Sequence, residues 1–239
     1  MFLKQFYTEK DCRIFISPQQ ASEFAKTVAS DFNPIHNPDS KQFCVPGDLL
    51  FSLVLDRYGL SKEMTFMFSG MVGGDLPLVF PKSKAGEFSI TDDQNKSYLE
   101  IERHGDILTD NNSVSELVRS YVAFSGKNFP DILVPLLSEQ GVMLNPKRPL
   151  VIYQSMSLSL ENFEIAEPTL TLTKTILDVK GKKGLVLLNF CIRSSGRIVG
   201  TGVKKLIVRG LQDYRQAGVD QLVSSYLAYK EQWSSERSL

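Results

Sequence analysis

Ser17-Pro18-Gln19-Gln20-Ala21-Ser22-Glu23-Phe24-Ala25-Lys26-Thr27-Val28-Ala29-Ser30-Asp31-Phe32-Asn33-Pro34-Ile35-His36 is the stretch that decides the fold. Ser17 is a helix N-cap, Pro18 suits the first helical position, and Gln20 completes a capping box. Apolar residues follow at Ala21, Phe24, Ala25, Val28 and Ala29, the stripe of an amphipathic helix. Pro34 then stops the helix, because the residue before a proline avoids the helical region. A carboxylate, Asp31, and an imidazole, His36, therefore sit across a proline-constrained turn on backbone that the preceding helix holds in place. Histidine titrates near neutrality and suits a general base, and a carboxyl group beside it can take the complementary role. Spacing alone also allows an ordinary helix-end turn followed by a solvated histidine.

Beyond a polar loop over Asn37 to Gln42, Val45-Pro46-Gly47-Asp48 opens a second helix, Asp48 to Tyr58, that is apolar almost all round. Such a helix is buried on most sides, here against a sheet. Strands are predicted over Met64 to Met71, Leu76 to Phe80, Gly86 to Thr91 and Ser97 to Arg103, with His104-Gly105-Asp106 as a turn. Helical patterns return over Val114 to Phe124 and Pro130 to Leu137. Strands then dominate from Leu150 to Val208, with hairpin turns at Gly181 to Gly184 and Ser194 to Gly196. Asp220 to Trp233 reads as a terminal amphipathic helix. The halves repeat one plan of helix, proline-containing break, helix and antiparallel meander. The predicted class is α+β with helices on one side of antiparallel sheet. The predicted units are residues 1–112, carrying the Asp/His motif, residues 113–212 without it, and a terminal helix over 213–239.

Lys plus Arg and Asp plus Glu are both 27, so the formal charge is zero. That balance argues against a broad electrostatic nucleic-acid binder. The longest apolar runs fall far short of the roughly 18 residues of a membrane span. The first residues show no basic head followed by an apolar stretch, so no secretory leader is expected and the cytoplasm is the expected compartment. Cys12, Cys44 and Cys191 are odd in number and widely spaced, which fits thiols in a reducing compartment rather than a disulfide framework. With two histidines and no cysteine pair, no metal site is expected, and no cofactor. His104 reads as a solvated turn residue. Gly70 to Gly74 lacks the Lys-Ser/Thr of a phosphate loop, and Lys180, Lys182 and Lys183 read as a charged hairpin tip. Trp233 and the nearby tyrosines read as packing.

Phe24-Ala25 followed by Asp31, Asn33, Pro34 and His36 resembles the signature of MaoC-like, R-specific enoyl-CoA hydratases and dehydratases of the hotdog fold. The chain also resembles an uncharacterised bacterial family with the same opening. The first resemblance implies a double hotdog, in which antiparallel sheet wraps a central apolar helix in each unit, and an internal pseudo-dimer with one active half. It implies an acyl-CoA or acyl-carrier-protein thioester as partner, as in fatty acid metabolism. Asp31 and His36 would grip the water that adds to a 2-enoyl thioester. Asn33 would orient Asp31 or shape the loop, and Gly47 would lend backbone N–H to the developing enolate oxygen. The chain departs from the family pattern at Ser30, where the family has Gly, at Pro46, where it commonly has His, and in the short stretch from His36 to Gly47. Two other readings stay open: a thioesterase on the same fold, and a binding or regulatory module without chemistry. The terminal helix is available for contact between two copies.

Overall fold

The computed structural model describes residues 2–236, so Met1 and the last three residues of the predicted terminal segment lie outside the described residues. A 3₁₀ turn at Phe2–Phe6 leads into a small hairpin of β1 (Thr8–Lys10) and β2 (Arg13–Phe15). Helix α1 (Pro18–Thr27), a 3₁₀ turn (Pro34–His36) and helix α2 (Gly47–Tyr58) follow. Then come β3 (Leu60–Phe68), β4 (Glu87–Thr91) and β5 (Ser97–Leu108). The second half opens with α3 (Asn111–Gly126), α4 (Leu133–Glu139) and β6 (Val142–Met143). It continues with β7 (Leu150–Leu160), β8 (Thr169–Lys180), β9 (Lys183–Ser194) and β10 (Arg197–Arg209). It closes with β11 (Gln212–Asp213) and α5 (Gln216–Ser235).

The capping box forms as the sequence predicts. Gln20 N–H donates to Ser17 Oγ at 3.1 Å, and Ser17 N–H donates to Gln20 Oε1 at 3.0 Å. A cap of this kind contributes about 1 kcal/mol. In α2 every residue from Asp48 to Leu55 is buried. The helix lies against β3 on one side and α3 on another, while α3 reaches β8. Phe51 of α2 meets Phe66 of β3 edge-on and Tyr121 of α3 at a tilt, which ties the two helices to the sheet.

The main sheet has seven antiparallel strands in the order β4-β5-β3-β7-β10-β9-β8. Within this sheet, the first strand from each half (β3, β7) lies at the centre, the last (β5, β10) lies next to it, and the intervening strands run outward. The same rule holds on both sides of the β3–β7 seam, where Glu63 to Met67 pair with Ser159 to Ser155. The fold is thus α+β and a double hotdog, with the sheets of the two halves hydrogen-bonded edge to edge.

Three expectations change on contact with the structure. Leu76 to Phe80 is not a strand, and makes only isolated bridges, Leu78 to Ile14 and Val79 to Thr91. Met64 to Met71 shifts to Leu60–Phe68, because Gly70 and Met71 leave the sheet for the rim of a cavity. His104-Gly105-Asp106 is not a turn. The strand runs through it as a bulge, since Ser61 pairs with Ile107 but Glu63 with His104, leaving β5 with one residue too many. Gly105 takes φ +78°, which a residue with a side chain resists. A Cβ there would also stand 3.0 Å from Lys62 Cβ. Gly105→Ala should cost about 1–2 kcal/mol in denaturant-induced unfolding. His104 itself is exposed, as its reading required.

The apolar interior forms two clusters. The larger surrounds α2, α3 and the central strands, and the smaller holds Leu133, Leu144, Leu206 and Leu222 beneath α4 and α5. The cavity described next lies between them, touching Leu50 of the first and those four leucines of the second.

Candidate active site

Ser30 ends the α1 segment in the left-handed region at φ +54°, which explains why a glycine would be at home in that position. From there the chain folds back on itself by local hydrogen bonds. Asn33 N–H donates to Asp31 Oδ1 at 2.9 Å, and Ile35 N–H donates to Asn33 Oδ1 at 3.3 Å. The backbone of Asn33 therefore orients the Asp31 carboxylate, and its side chain caps the 3₁₀ turn that presents His36.

His36 is 7% exposed. Its Nδ1 lies 2.6 Å from the Cys44 carbonyl oxygen. A carbonyl can only accept, so Nδ1 carries hydrogen and Nε2 is left to take or give a proton. Nε2 faces Asp31 Oδ2 at 3.6 Å. That distance is too long for a direct hydrogen bond, and a water beside the pair at about 2.8 Å from each atom would be held by both. Cys44 is not a rival nucleophile: burial pushes its thiol up to about 11, so it stays protonated at neutral pH.

Both side chains open into a cavity of about 640 Å³, within the range of small-molecule sites. Gly47 lines it at the N-terminus of α2, where Pro46 supplies no side-chain cap. The first N–H groups of a helix have no partner within it, so this end suits a developing negative charge. A Cβ on Gly47 would stand 3.0 Å from both Phe68 and Tyr153, so a side chain here would press on the wall of the cavity.

A second polar group lines the same cavity. Ser125 Oγ donates to Asp48 Oδ2 at 2.5 Å, and Lys204 Nζ donates to Ser125 Oγ. The Lys204 ammonium also sits 4.2 Å from the Tyr153 ring centre, and the Tyr153 and Tyr121 hydroxyls hydrogen-bond to each other. Burial raises the Asp48 pKa and lowers that of Lys204, and the opposite charge of each partner pulls it back toward its ionised form. Removing one member leaves the other's charge buried and uncompensated. Lys204→Met and Asp48→Leu should each cost about 3 kcal/mol. The triple replacement Asp48→Leu/Ser125→Ala/Lys204→Met should return to within about 1 kcal/mol of the unaltered chain, as read by denaturant titration.

One flank of the cavity is closed by α5. Tyr226 OH donates to the Ser30 carbonyl oxygen at 3.3 Å, and Tyr229 OH donates to Asn37 Oδ1 at 2.8 Å. Both rings pack edge-on against Phe32. Trp233 and Tyr229 lie against the Lys26 ammonium, at 4.6 and 5.1 Å from their ring centres. Trp233 thus packs as its reading required, while Tyr226 and Tyr229 both pack and line the cavity.

The structure brings Asp31, Asn33, His36 and Gly47 together around one cavity. Lys180, Lys182 and Lys183 lie away from it on the β8–β9 hairpin, where Lys180 pairs with Asp178 at 3.3 Å. Sequence reading missed Asp48, Ser125, Tyr153 and Lys204. Lys204 had a signal: it stands at an inward position of β10 between Gly202 and Leu206, where strand alternation calls for an apolar residue. Among the described residues, no cluster of three or more His, Cys, Asp or Glu is placed to hold a metal ion. No helix among them is long and apolar enough to cross a membrane.

Among solved structures, the chain is similar to the acyl-CoA thioesterase II TesB2 of Mycobacterium marinum at 9% identity and TM-score 0.47, over 90% of this chain and 100% of that one. It is similar to a hot dog fold protein of unknown function from Alicyclobacillus acidocaldarius at 8% identity and TM-score 0.44, over 87% and 98% of the two chains. It is also similar to a MaoC-like dehydratase at 11% identity and TM-score 0.39, over 86% and 98%. Among the curated proteins none matches. Residues 1–217 match the model of the family described as protein of unknown function DUF3581, and the chain belongs to that family.

Proposed function

We propose that this protein is an acyl-thioester hydratase or dehydratase that adds water to, or removes it from, a 2-enoyl thioester. The observation that carries this reading is the Asp31–His36 pair, held 3.6 Å apart with Nδ1 tied to Cys44, at a cavity with largely apolar walls. In hydration the pair starts with His36 protonated on both ring nitrogens and Asp31 ionised. Asp31 accepts a proton from the held water as its oxygen attacks C3. The double-bond electrons move toward the thioester oxygen, which the N-terminus of α2 at Gly47 faces. His36 Nε2 then gives its proton to C2, and the proton on Asp31 passes back to His36 through the next water. The sum is one water added, and the reverse order eliminates it. The Cys44 carbonyl holds Nδ1–H in both states of the ring, so the imidazole does not have to turn.

The mirrored strand order supports reading residues 1–112 and 113–212 as two copies of one unit, with α5 of the 213–239 segment closing the cavity. On that reading the pseudo-dimer has one Asp/His pair, and the second unit supplies walls and floor.

The test is to incubate the purified protein with 2-enoyl-CoA thioesters of graded length and with enoyl carrier protein. Loss of enoyl absorbance is the expected result, and none at any length overturns the reading. A second reading, thioester hydrolysis, draws on Asp48, a second carboxylate in the cavity with one oxygen unpartnered. It would release free thiol from saturated acyl-CoA. Thermal stabilisation by acyl-CoA with neither reaction would mark a binding module instead.

A further inference from the structure

The floor of the cavity holds more polar chemistry than the proposed reaction uses. Asp48, Ser125 and Lys204 are 7%, 3% and 4% exposed, while the Asp31 side chain keeps 28% of its surface. Asp31 therefore stands nearer solvent than this trio, while His36 is as enclosed as Asp48, and the trio belongs to the cavity wall that an acyl chain held at the Asp31–His36 pair would run along. A site for plain alkyl chains would be lined there by leucine and phenylalanine, because a buried charge is costly unless it has work to do. Ser125 Oγ accepts from Lys204 and donates to Asp48 Oδ2. Asp48 Oδ1 is buried with no hydrogen-bond partner. Lys204 has three N–H donors and spends one on Ser125. Asp48 and Lys204 both line the cavity and keep an acceptor and a donor unspent, the two roles that Ser125 Oγ fills for the same pair.

We propose that Asp48, Ser125 and Lys204 form a subsite for a hydroxyl group carried on the acyl chain beyond the reacting carbons, so that the preferred substrates are hydroxylated acyl thioesters. The ligand hydroxyl accepts from Lys204 Nζ and donates to Asp48 Oδ1, completing the network that Ser125 half completes. A plain chain leaves both groups desolvated and unpaired, and sites built to hold a hydroxyl discriminate against analogues lacking it. This inference rests on the acyl-thioester reading but not on which reaction follows.

The experiment measures, by calorimetry, the affinity of the full chain for decanoyl-CoA, a mid-chain hydroxydecanoyl-CoA and ω-hydroxydecanoyl-CoA. One hydroxylated probe is expected to bind at least about tenfold tighter than decanoyl-CoA. In the Asp48→Leu/Ser125→Ala/Lys204→Met variant, which leaves no single charge buried, that preference should fall to within about twofold, or reverse. Equal affinities in the unaltered chain overturn the inference while leaving the thioester reading standing, and mean that water satisfies Asp48. A preference that survives in the triple variant also overturns it. Failure to bind any of the three thioesters overturns the underlying reading, and the subsite with it.

Discussion

Replacing Asp31 with asparagine is expected to lower turnover of a 2-enoyl thioester by roughly 10²- to 10⁴-fold while the chain stays folded. The substitution is nearly isosteric, and its amide oxygen can still accept the Asn33 N–H that Asp31 Oδ1 accepts at 2.9 Å, so the turn survives. What is lost is the ability to take a proton from the water held at Oδ2. His36→Ala should cost as much activity and somewhat more stability. It leaves the Cys44 carbonyl oxygen without the Nδ1 donor now 2.6 Å away, and an unsatisfied buried acceptor costs about 1–3 kcal/mol. Because the two groups exchange one proton, their losses should not add. The double variant should be little worse than either single one. Enoyl absorbance gives the rates and circular dichroism the fold. Asp31→Asn turning over within about threefold of the unaltered protein would remove the pair from the chemistry.

This site was only half legible in the sequence, for a reason visible in its bonds. Asp31, Asn33 and His36 are neighbours along the chain, and the turn that gathers them is written in local chemistry: a capped helix, an Asx-type hydrogen bond and a proline. The apolar run of α2 similarly declares burial. The floor has no such local signature. Asp48 is 77 residues from Ser125, and Ser125 is 79 from Lys204. They meet because α2, α3 and β10 pack around one sheet, so each looks ordinary alone: an acid in a first helical turn, a serine near a helix end, a lysine in a strand. The closing helix is more remote still, with Tyr226 reaching across 196 residues to Ser30. Gly105 shows the opposite error. A glycine flanked by polar residues signals a turn, but strand pairing on both sides turned the same left-handed residue into a bulge.

Gly126→Ala should be the most disruptive single-methyl addition near the site. Gly126 ends α3 against the backbone of Ala29, and a Cβ there would stand 1.7 Å from the Ala29 carbonyl oxygen and 2.6 Å from its carbonyl carbon. Both obstacles are main chain, so no rotamer change can relieve the overlap. Either α3 or the end of the α1 segment must move, and that segment carries Ser30 and Asp31. It is held by Asp31 N–H donating to the Ala25 carbonyl at 2.8 Å and by Tyr226 on the Ser30 carbonyl, so movement strains both contacts. Overpacking that forces backbone shifts costs about 3 kcal/mol or more. In a chain of this length such a loss lowers the melting temperature by roughly 6–12 °C. A displacement of about 1 Å at Asp31 would also cost about 100-fold in turnover. Gly73→Ala is the control, because a Cβ there meets nothing within 4 Å and the backbone is not left-handed. That change should stay within about 0.5 kcal/mol of the unaltered protein. If Gly126→Ala melts with the Gly73 control and keeps full turnover, the contact between α3 and the Ala29 backbone does not position the Asp31–His36 turn.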